Sequence, residues 1–388
     1  MALIDDTRAI LGDLIAFPTV SRDSNLELIA YAADRLGAAG ARVHIQTDET
    51  GHKANLVASL GPETGGGVVL SGHSDVVPVE DQDWSSDPFE LREEKGQLFG
   101  RGTCDMKGFI AATMAMAPHL GDLDLSRPVH ICLTHDEEVG CLGARRLVEE
   151  IAGWDEKPSL AIIGEPTEMR IVEGHKGCCE YTTVFTGLEG HGSRPELGVN
   201  AVEYAVRYVT RLMELREMLK GRAPAQSRFE PPWSTLQVGR LAGGVAHNVI
   251  PGHASVDWEL RPVSDADHRF VCEAIAAYAR DDLLPAMREI SADADIVTHV
   301  IGEVSGLEPV DDNEARRIVS ALTGANGADV VAFGTEAGLF QKLGMSVVVC
   351  GPGSIAQAHK PDEFIEISQL SACLDMLQGL AGKLSTAR

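Results

Sequence analysis

Gly100-Arg101-Gly102-Thr103-Cys104-Asp105-Met106-Lys107-Gly108 leads directly into Phe109-Ile110-Ala111-Ala112-Thr113-Met114-Ala115-Met116-Ala117. The first segment crowds small residues around one aspartate. The second is apolar on every side, and a helix without a polar face belongs inside a domain. It lies between two short apolar runs, 68–70 and 129–133, giving strand, helix, strand. Residues 160–163 and 346–350 repeat the apolar pattern. Near-continuous apolar strands alternating with helices predict an α/β domain whose mixed, mostly parallel sheet is covered on both faces. Taken alone, Asp105 reads as a cap on the helix that follows. The competing reading is that the glycines admit close approach and Asp105 is a ligand.

Outward from this stretch, helical periodicity covers residues 2–16, ended by Pro18, and 25–39. Strands are predicted at 42–46 and 55–60, and helices at 142–151, 313–322 and 368–383. Near residue 178 the pattern changes to alternation, as in half-exposed strands. Strand 181–185, helix 200–219, strands 235–238 and 255–260, helix 266–287 and strand 296–301 follow in that order. This β-α-β-β-α-β series predicts an α+β ferredoxin-like domain. The expected organisation is a catalytic domain, 1–179 and 304–388, with an inserted dimerisation or lid domain, 180–303.

Composition narrows the function. The chain has 388 residues, 33 Lys and Arg against 58 Asp and Glu, and a net charge of −25. No nucleic-acid or anionic-membrane partner is expected, because such partners need basic patches. The eight cysteines are scattered without CxxC spacing, which predicts reduced thiols in a cytoplasmic protein. Residues 1–6 lack a basic region followed by an apolar run, so no signal peptide is expected. No apolar run approaches membrane-spanning length.

The residues after each apolar strand carry chemistry. His73-Ser74-Asp75 follows the first. Thr134-His135-Asp136-Glu137-Glu138 follows the second, Gly164-Glu165-Pro166 the third, and His359 comes soon after the fourth. Ligands in open α/β sheets bind beyond the carboxyl ends of strands. Two imidazoles and three carboxylates suit zinc or a similar divalent ion. Five ligands exceed one tetrahedral zinc but serve two ions if one carboxylate bridges, and Asp105 is the expected bridge. Neighbours in extended chain project to opposite faces, so one of Glu137 and Glu138 is expected on metal and the other facing bound water. Asp75 is expected to hold the second ring nitrogen of His73. Each group has a plain structural reading; their joint placement at strand ends favours the metal.

Several segments together resemble one family, in order and over nearly the whole chain. They are Ser71-Gly72-His73-Ser74-Asp75, residues 100–108, Asp136-Glu137-Glu138, Gly164-Glu165-Pro166-Thr167 and Gly190-His191-Gly192-Ser193. Asn248-Val249-Ile250-Pro251, Gly334-Thr335-Glu336-Ala337-Gly338 and His359 complete the set. The family is that of the dinuclear zinc metallopeptidases and deacylases, which includes carboxypeptidase G, aminoacylase, succinyl-diaminopimelate desuccinylase and acetylornithine deacetylase. The runs at 102–108 and 136–143 most resemble the acetylornithine deacetylase branch.

The resemblance implies two divalent ions, zinc or cobalt. His73 and Glu165 would complete one ion, Glu138 and His359 the other, with Asp105 between them. Glu137 would be the general base and Asp75 the partner of His73. The inserted domain would form a homodimer, and His191 would reach the partner chain's active site to hold the oxyanion. Asn248, Arg261 and Thr335 would contact substrate. The implied reaction is hydrolysis of an N-acyl amino acid, foremost N-acetylornithine to ornithine and acetate in arginine biosynthesis, by a hydroxide shared between the ions. Succinyl-diaminopimelate, other N-acyl amino acids and dipeptides are the alternatives within the family. A catalytically silent metal-binding or oligomerisation protein is the alternative outside it, and it would not need Glu137. His135, His175-Lys176 and Cys178-Cys179 are expected to have structural roles.

Overall fold

The computed structural model describes residues 2–386; Met1, Ala387 and Arg388, the outermost residues of the expected catalytic segments, lie outside the described residues. The chain forms two compact units: Met1–Gly174 with Pro309–Val330 and Thr335–Arg388, and His175–Glu308 with Val331–Gly334. The expected boundaries were 180 and 303. The division falls at 175 and 308 because the chain already joins the second unit before its first long strand: His175 exchanges backbone hydrogen bonds with Leu307, and Gly177 N–H donates to Pro262 O.

In the first unit an eight-stranded sheet runs in the order Arg42–Thr47, Ala54–Leu60, Val129–Thr134, Val68–His73, Leu160–Pro166, Ser346–Gly351, Val172–His175, Asp329–Val331. The four strands from Val129–Thr134 to Ser346–Gly351 are mutually parallel. Antiparallel pairs flank them on both sides. The parallel strands are almost wholly buried, which is why they read as continuous apolar runs. The Gly108–Gly121 helix is buried along most of its length and packs in the same core. It comes so close to the Leu160–Pro166 strand that a Cβ on Gly164 would lie 2.0 Å from the Phe109 ring. Only glycine fits there, beside Glu165.

A three-stranded antiparallel sheet joins distant parts of this unit. Phe364–Glu366 pairs with Gln97–Phe99, which pairs with Arg92–Glu94. Phe364 stands opposite Phe99, so Glu363 lies beside Gly100 and the chain that leads to Asp105.

The second unit is a four-stranded antiparallel sheet in the order Thr235–Gly243, His253–Arg261, Cys178–Thr186, Asp295–Val304. The helices Ala201–Lys220 and Asp265–Tyr278 contribute to its core. Ala201, Ala205, Tyr208, Leu212, Leu215 and Leu219 are the buried stripe of the first helix, spaced three or four apart. Asn200 caps it by accepting from the N–H groups of Val202 and Glu203, and Ser264 caps the second by accepting from Asp267 N–H. Strand His253–Arg261 alternates between more and less buried residues. The β-α-β-β-α-β series is the expected ferredoxin-like arrangement. Among the described residues, no helix is long and apolar enough to cross a membrane.

Candidate metal centre

The carboxyl ends of the parallel strands converge on one cluster. His73 is the last residue of its strand and pairs in register with Thr134, so the turns that follow both strands lie side by side. Glu165 is the penultimate residue of the next strand. Asp105 occupies a wide turn, Thr103–Lys107, with extended rather than helical backbone, and the helix begins only at Gly108. Its carboxylate makes no cap: Oδ1 lies 3.0 Å from His73 Nε2 and Oδ2 lies 3.4 Å from His359 Nε2. His73 Nε2 is also 3.8 Å from Glu165 Oε1, and His359 Nε2 is 3.1 Å from Glu138 Oε2. Asp105 thus divides its two oxygens between a His73–Glu165 pair and a His359–Glu138 pair.

Two expectations need correction. Glu137 and Glu138 do not lie in extended chain. They sit in a turn where Glu137 O accepts from the N–H groups of Gly140 and Cys141. Both carboxylates reach the cluster: donor atoms of His73, Asp105 and Glu138 lie within 4.8 Å of one another, as do those of His73, Glu137 and Glu165. The carboxylate of Asp75 is not the main partner of His73. Nδ1 of His73 lies 2.9 Å from the Asp75 carbonyl oxygen, with the carboxylate at 3.7 Å. That carboxylate instead accepts from Ser21 Oγ and from the backbone N–H groups of Glu137 and Glu138. The reason is local: the turn after His73 brings the Asp75 main chain, not its side chain, to the imidazole.

The electrostatics ask for positive charge. Burial pushes Glu137 up to about 8, helped by Glu138 and Asp105, although His73 opposes it. Burial and neighbouring carboxylates also raise Glu138 and Glu165. Burial alone would raise Asp105, but hydrogen bonds from His359 and His73 hold it below the usual range. Both imidazoles are raised in return: His359 to about 10, by its bonds to Asp105 and Glu138, and His73 against the cost of its burial. The donor set fits a divalent pair. Tetrahedral zinc with nitrogen and oxygen ligands has edges of about 3.4 Å, and the four imidazole–carboxylate separations span 3.0–3.8 Å.

The match to known proteins follows the same residues. The model for peptidase family M20/M25/M40 matches residues 69–383. The chain belongs to this family. This M20 protein is 38% identical over 371 residues to the acetylornithine deacetylase of Myxococcus xanthus, covering 94% of both chains. It is 36% identical over 364 residues to that of Klebsiella pneumoniae strain 342, covering 91% of both. Its fold is like that of an M20 metallo-carboxypeptidase from Sulfolobus solfataricus, with TM-score 0.72 and 18% identity over 98% of this chain and 99% of that one. It is also like the YXEP protein of Bacillus subtilis, described as a dinuclear metal binding peptidase, with TM-score 0.62 and 16% identity over 98% of each. The M20 protein belongs to a peptidase family, and His73, Asp105, Glu138, Glu165 and His359, with Glu137 beside them, form its candidate metal site.

Two buried carboxylates that sequence reasoning left without a role support this site. Glu336 accepts from the hydroxyls of Ser71, on the strand that ends at His73, and Thr134, which ends the strand before the Glu137-Glu138 turn. Glu363 pairs with Arg101 at 2.8 Å and accepts from the N–H groups of Gly102, Cys104 and Asp105. Glu336 lies within the Gly334–Gly338 run. Nothing marked Glu363, whose partners lie about 260 residues away in the chain.

The other expected site residues divide between the units. Thr335, in the first, is buried, and its Oγ1 accepts from Ala337 N–H at the start of a short helix. His191, Asn248 and Arg261 lie in the second. His191 is exposed, pairs with Val249 across a two-stranded ribbon and has Nδ1 2.8 Å from Ser193 Oγ. Gly192 N–H donates to Asn248 O, so His191 and Asn248 share one ribbon. Arg261 does not join them. It ends strand His253–Arg261, at the far end from that ribbon, and is held by Glu259.

Proposed function

We propose that this M20 protein hydrolyses the amide of an N-acyl amino acid, with N-acetylornithine the first substrate to test and arginine biosynthesis the setting. The observation that carries the hydrolytic reading is Glu137, a carboxylate that joins the His73–Glu165 group although Asp105, Glu138 and His359 already supply the remaining donors. A binding protein has no need of it. The relatives named acetylornithine deacetylase support the choice of substrate.

Two divalent ions, zinc or cobalt, held by His73 and Glu165, by Glu138 and His359, and by Asp105 between them, would supply Lewis acidity and lower the pKa of a water towards roughly 7. Glu137 takes the proton of the attacking water on its carboxylate and delivers it to the leaving amine nitrogen. The turn that carries it is fixed by Asp75, and Cys141 Sγ lies 3.5 Å from its Oε1. His191 holds the developing oxyanion, and Asn248, Arg261 and Thr335 contact the substrate.

This division of labour calls for two chains. His191 and Arg261 stand at opposite ends of a strand of nine residues, about 26 Å long at 3.3 Å per residue. No N-acyl amino acid spans that distance, so both reach one substrate only if His191 comes from a partner, through a homodimer of the inserted units. We place the enzyme in the cytoplasm, a location that suits its eight free cysteines.

The test is a turnover panel with added zinc or cobalt: N-acetylornithine, N-succinyl-diaminopimelate, N-acetylmethionine and dipeptides. N-acetylornithine should give the highest kcat/KM, with acetate release abolished by a chelator. Faster cleavage of another substrate overturns the substrate assignment, and no amide cleavage at all overturns the hydrolase reading.

A further inference from the structure

The inserted unit assembles a set of ligand groups of its own. His268 and Cys272 are four residues apart on the Asp265–Tyr278 helix, so they share one face. Glu303 comes from the strand Asp295–Val304 and Tyr181 from its neighbour. The strand pairing has one irregularity here. Val300 stands opposite Tyr181, and then Gly302, not Ile301, stands opposite Glu180. The extra residue shifts the pleat, so that Glu303 falls opposite Cys179, on the same face as Tyr181. Without the bulge, Glu303 would project to the other face.

We propose that His268, Cys272 and Glu303 form a zinc site in the inserted unit, separate from the catalytic ions. Donor atoms of all three lie within 4.8 Å of one another. His268 Nε2 is 3.5 Å from Cys272 Sγ and 3.3 Å from Glu303 Oε1. A tetrahedral zinc with Zn–S of about 2.3 Å and Zn–N and Zn–O of about 2.1 Å has N···S and N···O edges of about 3.5 and 3.4 Å. Two edges of the polyhedron are therefore already formed. A nitrogen, a thiol and a carboxylate suit zinc over magnesium or calcium, which take oxygen ligands. The Tyr181 hydroxyl lies 2.6 Å from Glu303 Oε1, 2.9 Å from His268 Nε2 and 3.5 Å from Cys272 Sγ, so the three donor atoms are gathered around one point, and zinc would replace its hydrogen bonds to them. The side chains of His268 and Glu303 are 26% and 36% exposed, which leaves a path for the ion and room for a water ligand. On binding, Cys272 Sγ gives up its proton to solvent and the thiolate takes the metal.

A thiolate distinguishes this site from the catalytic one, whose donors are imidazoles and carboxylates. The test compares zinc content and cobalt spectra of the whole protein. Wild type should hold one more zinc per chain than Cys272→Ser or His268→Gln. Cobalt-loaded wild type should show a near-ultraviolet thiolate-to-cobalt charge-transfer band that Cys272→Ser removes and Cys104→Ser keeps. Turnover by Cys272→Ser should stay near that of wild type. Equal zinc in wild type and both variants, or a band that survives Cys272→Ser, overturns the site. The wild-type spectrum decides the matter even if a variant fails to fold, because a wild type without a thiolate band overturns it. Failure of the catalytic reading would look different: the band would remain while the zinc bound by Cys272→Ser fell to none.

Discussion

The Arg101–Glu363 pair offers a sharp test of how the Asp105 turn is held. Both side chains are 1% exposed, and Arg101 Nη1 lies 2.8 Å from Glu363 Oε2. The same carboxylate accepts three backbone N–H groups, from Gly102, Cys104 and Asp105, at 2.9–3.1 Å. Glu363→Gln keeps one oxygen for Cys104 and Asp105 but turns an amide NH2 towards Gly102 N–H and the guanidinium. A buried charge that loses its partner costs about 3–5 kcal/mol, and the orphaned N–H places the cost towards the upper end. Arg101→Met strands the carboxylate instead and should cost a similar amount. The double variant buries no charge, so it should cost little more than either single, a coupling of about one single-variant cost, roughly 3–5 kcal/mol. Hydrogen exchange of a peptide spanning residues 100–109 reads the local opening free energy without assuming that both units unfold together. Zinc affinity supplies the second readout. Glu363 orients the Asp105 backbone, and losing such a partner should weaken metal binding roughly 10–100-fold. Additive single effects, or unchanged zinc affinity in Glu363→Gln, would refute the reasoning.

Glu137→Gln should lower kcat by roughly 10²–10⁴ while zinc content stays at the wild-type level; near wild-type turnover removes Glu137 as the base. His130 is buried and held neutral, lowered to about 4 by burial and then by Arg42. Unfolded chains protonate near 6.5 and the fold resists, so stability should fall by about 3 kcal/mol as pH drops from 6.5 to 4. His130→Asn should flatten that slope relative to wild type in urea unfolding across the interval, and an unchanged slope argues against it.

The candidate ligands were legible because strand ends can be read from apolar runs, and topology gathers those ends at one edge of a parallel sheet. That rule singles out His73, the Glu137-Glu138 pair, Glu165 and His359, while the choice of Glu138 over Glu137 came from the family resemblance. Errors began where local backbone decides. The pair Glu137-Glu138 looked extended, but Asp136 adopts φ 55° and the chain turns, so both carboxylates face inward. Asp75 looked like a side-chain partner for His73, but at two residues' separation the turn brings up its carbonyl oxygen instead. Supports from far along the chain left no trace at all. Glu363 reaches residues 101–105 only because Phe364 pairs with Phe99, and short strands of three residues carry little signal. Likewise, the face on which Glu303 stands depends on one bulge that no spacing rule announces.

The corrected role of Asp75 ties these observations together. Its carbonyl fixes the imidazole of His73, and its carboxylate fixes the backbone of Glu137 and Glu138. One residue therefore positions a candidate ligand of each ion and the candidate base. It can do so because two parallel strands end in register, His73 beside Thr134. Glu336 then clamps the same two strands by accepting from Ser71 and Thr134. A slip of one residue between these strands would turn His73 to the opposite face of the sheet and carry Asp75 away from the Glu137 turn. The precision of the site thus resides in the pairing of two buried strands, and the turns beyond them inherit it.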